Sequence, residues 1–261
     1  MAIVLTLALV ALATACMFSL GPVAARLRIA PSALEIINRQ VRYQLLLLAI
    51  AAAVLLVLYI WVPASLAQYA TVGTLAAPAA AVPWMGIAPG DDWINVGASL
   101  SCVATAATAL FVIGAVRRTG GWRRDVWRYL PWVLAFAVTN ALSEEIVFRL
   151  AVIAPLAGQV DTATILLLSA IAFGLPHVRG MPNGAIGVAM AGVLGWVLAK
   201  SVMETHGLFW AVWIHFLQDV VIFTGLVHAA LPFEARPTRT GDARATRTDS
   251  AVPASPDGCV A

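Results

Sequence analysis

The sequence predicts an all-α, polytopic membrane helix bundle of about seven or eight transmembrane helices. Three observations carry this. Of the 261 residues, 61% are hydrophobic and only 11% are charged, against about 25% charged in soluble domains. The mean hydropathy is +0.90. About seven apolar runs follow one another along the chain, most of them near the roughly 20 residues that a spanning helix needs. The net charge of +3 is too small to suggest a nucleic-acid partner, and the basic residues sit in short connections instead. The three cysteines, Cys16, Cys102 and Cys259, have neither metal-ligand nor disulfide spacing. The first two are expected to pack as small hydrophobes.

The first run covers residues 2–24. No Lys or Arg precedes it, so neither a cleaved signal peptide nor a lipoprotein site at Cys16 is expected, and it is read as a membrane helix. A short connection with Pro31, Glu35, Arg39 and Arg42 leads to the second run, 43–62. Residues 63–94 are rich in Pro, Gly and Ala and read as a loop, with a re-entrant piece as the alternative. The third run, 94–116, is followed by Arg117, Arg118, Arg123, Arg124 and Arg128 interleaved with Trp122, Trp127 and Trp132, the composition of an interfacial anchor. The fourth run spans 131–156, the fifth 162–177 and the sixth 185–199. A Gly/Pro-rich loop at 179–184 separates the last two, and Gly187, Ala191 and Gly195 give the sixth a small-residue face. The seventh spans 208–230, and the tail 232–261, rich in Pro, Thr, Arg, Asp and Ser, is expected to be disordered. Three regions result: N-terminal helices and basic segment over 1–128, a membrane core over 129–231, and the tail. Basic residues favour one set of connections, with Lys200 the exception. The positive-inside rule then places the N-terminus outside and the C-terminus in the cytoplasm, with a bacterial plasma membrane as the expected location.

Ionisable residues inside such runs are costly and mark function by default. The fourth run holds Glu144, Glu145 and Arg149. Glu145 and Arg149 share a helix face and can neutralise each other. Glu144 lies about 100° around the helix with no obvious local partner, and so is the candidate for chemistry. Two further pairs at the same spacing follow, Phe173 with His177 and His215 with Asp219. A carboxylate in apolar surroundings can activate water for peptide hydrolysis. His177 could hold that water or pass a proton to the leaving amine, while His215 and Asp219 could support the oxyanion, or Asp219 could fix the tautomer of His215. Glu144, His177 and His215 would also make a two-His, one-carboxylate zinc set, with Asp219 orienting His215 from behind it. The cofactor therefore reads as none or zinc. Each residue has a plainer reading as well: Glu145–Arg149 as a structural bridge, Phe173 as packing, and the histidines as helix-to-helix hydrogen bonds. His206 and His228 are read as interfacial or structural.

The ordered set Glu-Glu-x-x-x-Arg, Phe-x-x-x-His and His-x-x-x-Asp on successive apolar segments resembles the type II CAAX prenyl endopeptidase family. That family also includes bacteriocin-processing and abortive-infection-type membrane proteases. The resemblance implies an intramembrane endopeptidase acting on a membrane-associated peptide or protein. It assigns water activation to Glu144 and His177 and transition-state support to His215 and Asp219. The last position is often Asn in the family and is Asp219 here, which weakens oxyanion donation unless the carboxyl is protonated. The rival classes are a transporter that uses the charges as a proton relay, and a non-catalytic membrane scaffold of the same fold. One tension is visible. At 1.5 Å per residue, Glu144 and His215 lie about 20 Å from the cytoplasmic ends and His177 roughly 6 Å, so tilt, a kink at Pro176 or shifted boundaries must bring them together.

Overall fold

The apolar runs become helices because a chain in hydrocarbon has to satisfy its backbone hydrogen bonds within each segment. The computed structural model describes residues 1–118, 124–179 and 184–231. The expected disorder of 232–261, Cys259, Trp122 and the centre of the 179–184 loop lie outside the described residues. In chain order the helices are α1 (Ala2–Arg26), α2 (Glu35–Trp61), α3 (Pro63–Tyr69), α4 (Trp93–Arg118), α5 (Leu130–Glu145), α6 (Ala151–Leu156), α7 (Thr162–Gly174), α8 (Gly184–Thr205) and α9 (Phe209–Ala230). A π-helical segment, Ile146–Leu150, joins α5 to α6 without a break, and a 3₁₀ turn, Leu175–Arg179, extends α7. Further 3₁₀ turns occupy Pro83–Met85 and Arg124–Tyr129.

Six helices among the described residues are long and apolar enough to cross a membrane, and the protein is an integral membrane protein. The run Leu130–Leu156 also extends along the bundle, set apart from these six by its ionisable groups and its π segment. Two clusters fix its ends. Val126, Val133 and Phe136 pack with Ile37, Val227 and Leu231 at one end of the bundle, whereas α6 reaches α3 at the other.

Several boundaries differ from the sequence expectation. Helix α2 begins at Glu35 rather than 43: its polar first turns are held by the Arg42–Glu35 ion pair and by Asn38, which hydrogen-bonds the backbone of Ser32. The 63–94 loop is ordered by α3, by a 3₁₀ turn and by main-chain bonds to the α8–α9 turn. The amide of Thr74 donates to the Thr205 carbonyl (2.8 Å) and that of Leu208 to Thr71 (2.8 Å). Gly73 and Gly207 meet there so closely that a Cβ on Gly73 would lie 2.7 Å from the Gly207 Cα. Trp93, fully buried, donates its indole N–H to Glu204 (2.8 Å), and Glu204 pairs with Lys200. Lys200 is thus a buried, neutralised cation, which is why it breaks the charge asymmetry of the connections. Cys16 and Cys102 are exposed rather than packed inside; a small hydrophobe suits a lipid-facing surface as well as an interior. His206 stacks on Tyr69 (5.6 Å), and His228 is buried.

Candidate active site

A cavity of about 500 Å³ opens between α4, α8 and α9. Most of its wall is apolar: Leu100, Val103 and Phe111 from α4, Met190 and Leu194 from α8, Ile214 and Ile222 from α9, and Met85 from the 3₁₀ turn. Its polar end holds Asn140, Glu144, His177, His215, Gln218 and Asp219. The four residues expected at a reacting centre therefore share one cavity despite their unequal depths in the sequence. The helical path does not stop at His177. Pro176 cannot donate to the Ala172 carbonyl, α7 ends at Gly174, and a 3₁₀ turn carries the chain on to Arg179. The tighter winding releases the Phe173 carbonyl, which accepts from His177 Nδ1 at 2.7 Å. A carbonyl only accepts, so Nδ1 carries the proton and a neutral His177 keeps its lone pair on Nε2.

Glu145 and Arg149 pair as their spacing predicts: Arg149 Nε lies 3.0 Å from Glu145 Oε2, with both side chains 0% exposed. The other oxygen of Glu145 does something the sequence does not reveal, accepting from His215 Nδ1 at 2.8 Å. The orienting partner of His215 is thus Glu145 on α5, and the expectation that Asp219 fixes this tautomer is corrected. Asp219 Oδ2 stands 3.7 Å from His215 Nε2, as does Glu144 Oε2, too far for a direct hydrogen bond. One α9 imidazole is therefore faced by three carboxylates, one on Nδ1 and two beside Nε2.

Phe173 is the packing centre beneath these groups. Its ring lies 4.8 Å from His177, 5.5 Å from His215 and 5.5 Å from Phe148, with the Arg149 guanidinium 4.1 Å from its centroid. The guanidinium over the ring face is a cation–π contact, strengthened by desolvation. Helix α8 can come close enough to hold Phe173 because Gly195 faces it, and a Cβ there would meet the Phe173 Cβ at 3.0 Å. The small-residue face read from the sequence, Gly187, Ala191 and Gly195, is buried.

The π segment follows directly on the two glutamates. Widening of this kind leaves carbonyls short of partners and recurs at functional sites. Here the Phe148 carbonyl accepts from the Ser169 hydroxyl of α7 at 3.0 Å, which ties α7 to the segment that carries Arg149.

Two site residues escape the sequence reading. Asn140, one turn before Glu144, donates from Nδ2 to Glu144 Oε1 (3.2 Å) and to Asp219 Oδ2 (3.1 Å). Gln44 of α2 donates from Nε2 to Asn140 Oδ1 (3.3 Å). Glu144 consequently has a local partner after all. The four-residue spacing from Asn140 to Glu144 was the available signal, while nothing in the sequence links Gln44 to either. As for zinc, the described residues contain no group of three or more His, Cys, Asp or Glu side chains gathered to hold an ion. Glu144, His177 and His215 nevertheless line one cavity, and the bond that each histidine makes through Nδ1 leaves its Nε2 as the nitrogen that could meet an ion.

Neither the curated proteins nor the solved structures include a match to this chain. A family model does match residues 126–221, a stretch that contains all three motifs, the π segment and Asn140. The segment that builds the polar end of the cavity is thus similar to the family described as type II CAAX prenyl endopeptidase Rce1-like.

Proposed function

We propose that the protein is an intramembrane endopeptidase that hydrolyses a peptide bond with water activated by Glu144 and His177. The observation that carries this is the meeting of a carboxylate, an imidazole with a defined free nitrogen and a second, carboxylate-held imidazole at the polar end of one apolar cavity. Glu144 takes a proton from water while His177 Nε2 holds the same water by its other hydrogen. The oxygen attacks the scissile carbonyl, and His215, doubly protonated among the carboxylates that face it, keeps Nδ1 on Glu145 and donates from Nε2 to the developing oxyanion. The proton then passes to the leaving nitrogen as the C–N bond breaks, so no covalent enzyme intermediate forms. Asp219 flanks His215 and the Asn140 amide.

The apolar wall suits a substrate that stays in the membrane, and the substrate class is a membrane-associated peptide or protein. Clustering of Arg39, Arg42, Arg117, Arg124, Arg128 and Arg179 near one set of helix ends supports a cytoplasmic C-terminus in a bacterial plasma membrane.

The test compares membranes carrying the wild type with membranes carrying Glu144→Gln, with protein termini mapped across the proteome. Termini present only with the wild type are expected. On the cleaved peptide so identified, Glu144→Gln and His177→Ala should each lower the rate by about 10²–10⁴-fold while leaving the protein folded and inserted. Identical termini in the two membranes sink the proposal, and solute flux without any cleaved product points to a transporter. A second arm assays purified protein after exhaustive chelation. The rate should be unchanged; a loss that added zinc restores would overturn activation by the carboxylate alone.

A further inference from the structure

Asn140 stands between two carboxylates on different helices, Glu144 on α5 and Asp219 on α9, and its Nδ2 is within hydrogen-bond reach of both. An ionised carboxylate accepts and cannot donate, whereas an amide nitrogen carries two hydrogens. Only one orientation of Asn140 therefore serves both neighbours, with NH₂ toward the acids. Its carbonyl then turns toward α2, where Gln44 Nε2 donates to it at 3.3 Å. Gln44 is 4% exposed and Asn140 9%, so bulk water is not competing for either group. The reversed amide would set a carbonyl against two carboxylates and an NH₂ against the Gln44 NH₂, a mismatch on both sides.

We propose that Asn140 is a positioning residue of this site, clamping Glu144 and Asp219 at a fixed separation, and that Gln44, from outside the family-matched segment, sets the direction of the clamp. Two like-charged groups that would otherwise repel are bridged by one donor. With Oε1 of Glu144 held by Asn140, Oε2 is left on the His215 side, where the reaction needs it. This role rests on the reading of Glu144 as the base, although the clamp itself is a matter of geometry. It also gives α2 a part in the chemistry: the first 125 residues supply the last link of a chain running Gln44, Asn140, Glu144.

The experiment uses the full chain in four forms: wild type, Gln44→Leu, Asn140→Leu and the double variant. The first readout needs no substrate. The infrared carboxyl band of Glu144 is assigned by its loss in Glu144→Gln, then followed in the four forms. Both single variants should shift it, and adding Gln44→Leu to Asn140→Leu should change nothing further, because Gln44 acts only through Asn140. The second readout is hydrolysis of the peptide found by terminus mapping. Here kcat should fall by about 10-fold or more with KM unchanged, again non-additively. Thermal midpoints recorded alongside show whether any variant has simply unfolded, and Asn140→Ser, which keeps a short donor, should recover part of kcat. A Glu144 band that ignores Gln44→Leu, or effects that add, overturns the clamp. A band that shifts in both single variants with kcat untouched upholds the clamp and refutes Glu144 as the base, so the two failures are distinguishable.

Discussion

Glu145 uses its two oxygens on two different helices, one toward Arg149 within its own helical run and one toward His215 on α9. Removing Arg149 would leave that carboxylate in a dry bundle without its counter-charge. Arg149→Ala is therefore expected to destabilise the protein by about 3–5 kcal/mol, read from thermal unfolding in detergent; a midpoint equal to wild type would show that the pair contributes nothing. Asp219 is the opposite case. It accepts from Asn140 at 3.1 Å and makes no direct hydrogen bond to His215, so Asp219→Asn keeps an oxygen acceptor for Asn140 and turns the other carboxylate oxygen into an amide donor. Cleavage by Asp219→Asn should hold or rise, and a large fall in kcat would mean that the negative charge itself is required. The charged residues of this cluster were legible in the sequence because charge in an apolar helix stands out. The amides were not: a single Asn or Gln is tolerated in a membrane helix for many reasons, and Gln44 meets Asn140 only through tertiary packing. The same limit explains the misassigned partner of His215. Spacing along one helix nominates Asp219, whereas the bond that forms crosses to Glu145.

At the scale of elements, α7 and α8 show how packing positions chemistry. Gly195 lets α8 approach Phe173, and Phe173 in turn touches both imidazoles. Gly195→Val overfills this contact. It should destabilise by about 1–3 kcal/mol and lower cleavage through displacement of Phe173, so unchanged unfolding and activity would show that α8 can retreat without cost. The start of α7 carries a different kind of control. Asp161 accepts from the Thr164 amide (2.9 Å) and hydroxyl (2.7 Å), and these bonds, the hydroxyl's foremost, hold its carboxyl below the usual carboxylate range. A group lowered on folding stabilises the folded state fully above its unfolded value, near pH 4, and loses that contribution as pH falls through the folded value. Protection of the Thr164 amide, measured as exchange relative to its intrinsic rate at each pH, should fall over that acid range in the wild type. In Asp161→Asn, which caps without titrating, it should stay flat; matching pH profiles would remove the carboxylate from the explanation. The helices themselves were readable from apolar run length, and the end of α7 from Pro176. The π segment was not, because its extra residue is accommodated by a partner on another helix, Ser169, rather than by any local breaker.

Across the whole molecule, the orientation proposed above rests on the clustering of basic residues. Reporter fusions at Arg118 and at Pro237 should both read as cytoplasmic, and an outside reading at either would reverse the arrangement. Apolar run length and charge asymmetry are one-dimensional properties and were available from the sequence. The ordering of residues 70–93 was not, since its rich Pro, Gly and Ala content reads as a loop until the α8–α9 turn is seen beside it. That junction is sewn largely through the main chain, by Thr74 to Thr205, Leu208 to Thr71 and Phe209 to Val72, with two glycines in backbone contact. Main-chain bonds do not depend on side-chain identity, but they do depend on register. The exposed positions of this strap can therefore be exchanged more freely than its length can be changed: one inserted residue would misalign the bonds and displace Met85 from the cavity wall, leaving every acidic and imidazole group in place.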